Sequence, residues 1–148
     1  MNVVVAVDFS EVTRRIVEVV LGISEGRAMR LYLIHVAAPE PAFVGWEAGP
    51  EVVRRQVATD LRREHHDVEA LAGELRDAGR DVTALCVQGL TIDSILAEAE
   101  QLQADLIVVG SHGHGATYDL LVGSVSSGII RKARVPVLVV PGRAESAS

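Results

Sequence analysis

The chain has 148 residues, of which 49% are apolar and only 3% are aromatic, and its formal net charge is −6. This length suits a single domain, and the apolar fraction is large enough for a core, which excludes a disordered chain. The acidic balance, without a long basic run, argues against a protein that binds nucleic acids through general charge attraction.

Cellular location is indicated by what the composition lacks. The single cysteine, Cys86, cannot form a disulfide within the chain. No apolar run approaches the roughly 20 residues that span a bilayer, and no cationic segment precedes the first apolar run as in a signal peptide. We therefore expect a cytoplasmic protein with no membrane partner.

Short runs of β-branched residues alternate along the chain with segments of helical periodicity. In chain order, strands are predicted over 2–7, 31–36, 81–87, 106–109 and 135–140. Helices are predicted between them, over about 10–26, 51–78, 91–102 and 123–134. Glycines and prolines over 37–50 predict an irregular loop, and the small polar residues 144–148 predict a frayed tail after a domain over 1–143.

Polar residues and glycines mark the predicted helix ends. Ser10 and Thr91 stand before helical segments and are predicted N-caps. Gly26 and Gly79 follow helical segments and are predicted to end them. The long second helix is expected to bury an apolar face, formed by Val53, Val57, Leu61, Val68, Leu71 and Leu75.

The alternation of five strands with four helices predicts an α/β fold in which one domain contains an open five-stranded parallel sheet with helices on both faces. Such sheets bind ligands at the carboxyl ends of their strands, where the strand order reverses. The alternation alone does not determine that order.

A glycine-rich loop links the strand over 106–109 to the next helix, with Gly110, Gly113 and Gly123 followed by Ser124. Glycine permits positive φ and lets a ligand approach the backbone closely. The first turn of a helix has unpaired N–H groups and the positive end of the helix dipole. The loop and helix therefore predict a phosphate cradle, in which Ser124 contacts phosphate or acts as a plain N-cap.

The spacing Gly110-x2-Gly113-x9-Gly123-Ser124 resembles the nucleotide-binding signature of the universal stress protein family. The first strand ending at Asp8 and the segment 131–140 are also similar to that family, so the resemblance covers nearly the whole chain. It implies the strand order 3-2-1-4-5 and ATP as ligand, with or without Mg²⁺. It also implies a homodimer through the last strand, with Val137 and Val139 near the axis.

The resemblance implies roles for individual residues at the carboxyl ends of the strands. Asp8 would accept hydrogen bonds from the base or ribose, unless it only caps the following helix. Val36 and Val109 would contact adenine through backbone and packing, or would belong to the core, and His112 would flank the nucleotide. Phe9 replaces a glycine that is frequent in the family and would restrict the pocket. The expected nucleotide contacts are Asp8, Val36, Val109, Gly110, His112, Gly113, Gly123, Ser124, Val125 and Ser126.

Three other kinds of site fit the sequence poorly. A metal site needs three or four ligands, and only Asp8 and His35 could join His112 and His114, so none is expected. The P-loop motif is absent. A receiver domain would need a second carboxylate after Asp8, where Phe9 stands.

Cations are placed away from the predicted phosphate cradle. The loop over 110–123 contains no lysine or arginine, whereas Arg131, Lys132 and Arg134 crowd the far end of the next helix, where the dipole favours them. No catalytic residue is therefore expected, and the sequence predicts a regulatory protein that binds ATP. Two alternatives stay open: a slow ATPase or nucleotide hydrolase, and a dimeric interaction module without nucleotide.

Overall fold

The computed structural model of the chain describes residues 1–39, 49–112 and 122–142. The strands are β1 (Asn2–Ala6), β2 (Arg30–Ala37), β3 (Asp81–Gln88), β4 (Leu106–Gly110) and β5 (Val137–Val140). The helices in these ranges are α1 (Val12–Ser24), α2 (Pro50–Asp77), α3 (Thr91–Gln101) and α4 (Ser124–Lys132). All strand pairs are parallel and the order is β3-β2-β1-β4-β5, which confirms the predicted fold and strand order.

Alternate residues of each strand point to opposite faces of the sheet, and each face has its own core. Val3 and Val5 pack with buried residues of α1 and α2. Val4, between them, packs with buried residues of α3 and α4 on the other face. Because both faces are covered, the central strands consist of uninterrupted apolar runs, as buried parallel strands require.

The predicted strands end within two residues of the observed ones. The largest shift is at the start of β5, which was expected from residue 135 and begins at Val137. Pro136 has no backbone N–H to donate to a ladder, although its carbonyl accepts the Ile107 N–H at 3.0 Å.

Two predicted N-caps were wrong. The N-cap of α1 is Glu11, and that of α3 is Leu90, and neither makes a side-chain capping bond. The Ser10 hydroxyl is buried without a partner among the described residues, and it is the Ser10 carbonyl that accepts the Thr13 N–H at 3.0 Å. Thr91 is the first helical residue, one position too late to cap α3.

Gly79 ends α2 as predicted. Its φ is +80°, and its N–H donates to Arg76 O while the Arg80 N–H donates to Leu75 O. This is the Schellman arrangement, which needs a left-handed residue at this position.

Helix α2 is longer than the sheet against which it packs. Its 28 residues span about 42 Å, whereas the eight residues of β3 span about 26 Å. Val68, Leu71 and Leu75 are buried, but Val53, Val57 and Leu61 are only half-buried, so the predicted apolar face is covered mainly in its second half. Since α2 runs opposite to the strands, its first turns extend past their carboxyl ends. No helix in the described ranges has an apolar stretch long enough to cross a bilayer.

Candidate functional site

The strand registers bring the predicted site residues together at the carboxyl ends of the strands. Val5 pairs with Val108, so Asp8, just after β1, lies beside Gly110, the last residue of the adjacent strand β4. Ala6 pairs with Ile34, which places Val36 at the carboxyl end of β2, beside the end of β1. The helices that follow β1 and β4 cover opposite faces of the sheet. The carboxyl ends of these two strands therefore form the switch point at which open α/β sheets bind ligands.

The start of α4 is bound tightly to the end of β4. The Gly123 N–H donates to Ser111 O. The Ser126 hydroxyl donates to the same carbonyl at 3.1 Å and lies 3.1 Å from Gly123 O. Ser126 is 1% exposed, and its hydroxyl ties the helix start to the residue that follows β4.

Three backbone N–H groups at this helix start have no partner among the described residues. The first hydrogen bond of the α4 ladder is from the Ser127 N–H to Gly123 O at 2.9 Å. The N–H groups of Ser124, Val125 and Ser126 precede it in the chain. The N-cap residue is Gly123, which has no side chain to accept a hydrogen bond from them. Ser124 and Val125 are exposed. Unpaired N–H groups and the positive end of the dipole make this helix start suitable for an anion.

The glycines at this site are needed for close approach and not for unusual backbone angles. Gly123 has φ −75°, a backbone angle that any residue can adopt. A Cβ there would lie 2.9 Å from Ser111 O and 3.2 Å from His112 Cα. A Cβ at Gly110 would lie 2.7 Å from Val12 Cγ1. Both glycines therefore let elements of the protein itself pack against the loop.

His112 is held beside the end of β5. Its Nδ1 lies 3.1 Å from the Ser111 hydroxyl, which accepts the Gly142 N–H at 3.1 Å. The ring lies so close to Gly142 that a Cβ there would be 2.9 Å from His112 Nε2. The sequence reading overlooked Ser111, although a small polar residue directly after a buried strand is a recognisable signal.

The opposite wall of the site is the loop between β1 and α1. The Asp8 carboxylate is exposed and accepts the Ser10 N–H at 2.9 Å, so it does stabilise the turn before α1. Phe9 has φ +59°, in the left-handed region, and its ring packs 5.1 Å from that of His35. The left-handed backbone explains why glycine suits this position.

The two valines of the predicted site differ in exposure. Val109 is 2% exposed, and its side chain belongs to the core between the sheet and the α3 and α4 helices. Val36 is half-buried and packs against the same core from the end of β2. The Val109 side chain is therefore part of the core, whereas Val36 is only partly covered.

Other parts of the predicted site lie outside the described residues or lack a cluster of ligands. Gly113 and His114 fall in the segment 113–121, which is not described. Within the described ranges, no three His, Cys, Asp or Glu side chains are grouped as a metal site would require.

A thiol on β3 and a carboxylate on α2 have shifted pKa values. Burial, and then the negative charge of Glu64, raise the pKa of the Cys86 thiol. On the outer surface, a hydrogen bond from Arg14 lowers the pKa of Glu74. A raised pKa favours the protonated thiol, which is a poor nucleophile.

Comparison with known proteins agrees with this fold. The sequence model of the universal stress protein family matches residues 1–141. A universal stress protein of Thermus aquaticus is 33% identical over 139 residues, which cover 94% of this chain and 97% of that protein. The solved structure of the hypothetical protein MJ0577 of Methanocaldococcus jannaschii has a TM-score of 0.84 and 26% identity, covering 97% of this chain and 96% of that one.

A universal stress protein of Archaeoglobus fulgidus, solved in complex with dAMP, shares the fold with a TM-score of 0.63 at 22% identity, covering 95% of this chain and 97% of that one. The order of the strands, the glycine-bounded helix start and the match over residues 1–141 lead to the same assignment. The chain belongs to the universal stress protein family.

Proposed function

We propose that the chain binds ATP at the carboxyl ends of the strands, with the phosphates on the first turn of α4. The observation that carries this proposal is the row of unpaired N–H groups of Ser124, Val125 and Ser126. Their positions are fixed because Ser111 O binds both Gly123 and Ser126. A preorganised set of donors loses little entropy when it takes up an anion. The dAMP complex of the Archaeoglobus fulgidus relative supports an adenine nucleotide as the ligand class.

The base and ribose would extend from α4 across the ends of β4 and β1. The Asp8 carboxylate is exposed there and can accept a hydrogen bond from a ribose hydroxyl or the adenine amine. Val36 would pack against the base, and the backbone of Val109 and Gly110 would line its other side. His112, beside the helix start, would flank the phosphates, as would Gly113.

ATP binding would be regulatory and not catalytic. Phosphoryl transfer depends on positive charge around the transferring phosphate. In the described residues the nearest downstream cations, Arg131 and Lys132, lie about 10 Å along α4 from Ser124. Lys132 Nζ is also 3.6 Å from Asp93 Oδ1. The protein should therefore retain intact ATP, with or without Mg²⁺, and nucleotide occupancy would change its conformation or its partners.

Assembly would use the free edge of the sheet. Strand β5 pairs with β4 on one side and with no strand of the described residues on the other. Its sequence is entirely apolar, and such an edge is a template for pairing with another strand. The proposed partner is a second copy of the chain, with Val137 and Val139 near the two-fold axis.

The phosphate site can be tested by removing one N–H group without disturbing the helix. Ser124 is the first residue of α4, where proline is well tolerated, and Gly123 before it has the extended angles that proline requires. Ser124→Pro should weaken ATP binding about tenfold or more in calorimetry, whereas Ser124→Ala keeps the N–H and should have a smaller effect.

A matched control is available at the next helix. Thr91 is the first residue of α3, and Leu90 before it is also extended. Thr91→Pro makes the same chemical change at another helix start and should leave the ATP affinity unchanged. Equal affinity of wild type and a folded Ser124→Pro variant would contradict the assignment, as would an equal loss in Thr91→Pro.

A further inference from the structure

His35 connects three elements at the candidate site. It lies near the end of β2 with its side chain 13% exposed. Its Nδ1 is 3.0 Å from Val7 O, and its Nε2 is 3.1 Å from Glu64 Oε2 in α2. The ring also packs against Phe9, in the loop that carries Asp8. One imidazole therefore joins the end of β1, the following loop and the long helix.

The Val7 carbonyl depends on this imidazole for a donor. The Val7 N–H donates to Ile34 O at 2.9 Å, which is the last ladder bond between β1 and β2. Val7 is 5% exposed, and within the described residues His35 is the one donor that reaches its carbonyl. An unpaired buried carbonyl costs free energy, so the imidazole helps to hold the strand end one residue before Asp8.

The two contacts of the ring require two protons. A carbonyl oxygen and a carboxylate oxygen can only accept hydrogen bonds, and a neutral imidazole has a single N–H. With Glu64 ionised, both bonds can form together only when His35 is an imidazolium. Loss of one proton turns a ring lone pair toward one of the two oxygens, and one contact is then broken.

The other ionisable groups around the His35 ring are one thiol and two carboxyl groups. Cys86, the register partner of His35 on β3, is half-buried, and burial followed by the charge of Glu64 raises the pKa of its thiol. Asp8 lies in the adjoining loop and, like Glu64, carries a carboxyl group. Imidazoles are the groups that exchange a proton between about pH 5 and 8.

We propose that the His35 imidazolium, held between Val7 O and Glu64, positions the β1–α1 loop for nucleotide binding and makes the affinity depend on pH. This proposal rests on the proposed ATP site, because His35 supports the β1–α1 loop that carries Asp8. The link is complete where imidazole is protonated and carboxylates are ionised. Nucleotide affinity is therefore highest in mildly acidic solution and falls as pH rises through the range in which imidazoles lose a proton. His35 acts as a positioning residue and does not contact the nucleotide.

The test compares the pH dependence of ATP affinity in three proteins. Wild type should lose about two- to tenfold in affinity between pH 6 and 8 beyond the change caused by the nucleotide itself, the effect of one hydrogen bond. Glu64→Gln presents both an acceptor and a donor, so it can bond to either form of the ring, and its profile should be flatter. His66→Asn, on the exposed side of α2, should reproduce the wild-type profile. The titration of the terminal phosphate of ATP is common to all three.

A merely structural role of His35 would predict the same pH profile for wild type and Glu64→Gln, and that result would overturn the proposal. Thermal unfolding of each variant shows that the comparison is made between folded proteins.

Nitrogen NMR of the His35 ring in the nucleotide-free protein tests the link separately. At pH 5.5 both ring nitrogens should carry protons in wild type, and raising the pH should change the Glu64 contact. A ring with one bare nitrogen at pH 5.5 would overturn the link whatever the nucleotide does. Absence of ATP binding at every pH, with the imidazolium present, would instead overturn the proposed function and the affinity claim with it.

Discussion

At the scale of single residues, Phe9 combines an unfavourable backbone with favourable packing. Its φ of +59° places a bulky side chain in the left-handed region, which costs about 1–2 kcal/mol for residues other than glycine. The ring is partly buried against the α1 and α2 core and against His35. The backbone strain is thus offset by contacts that also shape the wall beside Asp8.

A pair of substitutions separates these two effects. Phe9→Ala and Phe9→Gly both remove the ring, but only glycine relieves the backbone. We expect Phe9→Gly to be more stable than Phe9→Ala by about 1 kcal/mol in chemical denaturation. At Ala97, an exposed residue of α3, alanine should be more stabilising than glycine, as is usual in helices. Ala97→Gly should therefore destabilise the protein by about 1 kcal/mol. Greater stability of the alanine variant at position 9 would show that positive φ does not limit this site.

At the scale of elements, the regular features follow from local sequence. The β-branched runs define the strands, and Gly79 ends α2 because the Schellman turn needs a left-handed residue. The helix start at Gly123 and Ser124 was also predicted, because a glycine-bounded loop leads from a buried strand into it.

Features that depend on distant contacts were not predictable in the same way. The bond between His35 and Glu64 joins residues 29 apart in sequence and exists only because α2 packs beside β2. The bond from the Ser126 hydroxyl to Ser111 O joins residues 15 apart in the same way. The failed caps at Ser10 and Thr91 show a smaller error: the residue type was suitable, but the helix began one residue away from the expected position.

At the scale of the whole molecule, the sheet has two edges with different properties. Strand β5 is short and apolar, and Val137 and Val139 are half-buried on the face covered by α3 and α4. Strand β3, at the other edge, carries exposed residues such as Thr83. The proposed nucleotide site lies at the carboxyl ends of the strands between these edges, so a dimer through β5 would leave its Asp8 wall accessible.

This asymmetry predicts the effect of charges placed on each edge. Wild type should be a dimer by light scattering at micromolar concentration, and Val137→Lys should be a monomer because an ammonium group would be desolvated at the interface. Thr83→Lys makes the same addition on the opposite edge and should remain dimeric. A monomeric wild type, or a folded Val137→Lys variant that keeps the dimer mass, would contradict the proposed assembly.

The central claim is that phosphate binds to the first turn of α4. Backbone amide NMR during an ATP titration tests this most directly, because an N–H that donates to phosphate shifts strongly. We predict the largest saturable shifts at Ser124, Val125 and Ser126, with small shifts at the start of α3 around Thr91. Saturable ATP binding that leaves the three α4 amides unshifted, or an absence of binding, would contradict the account.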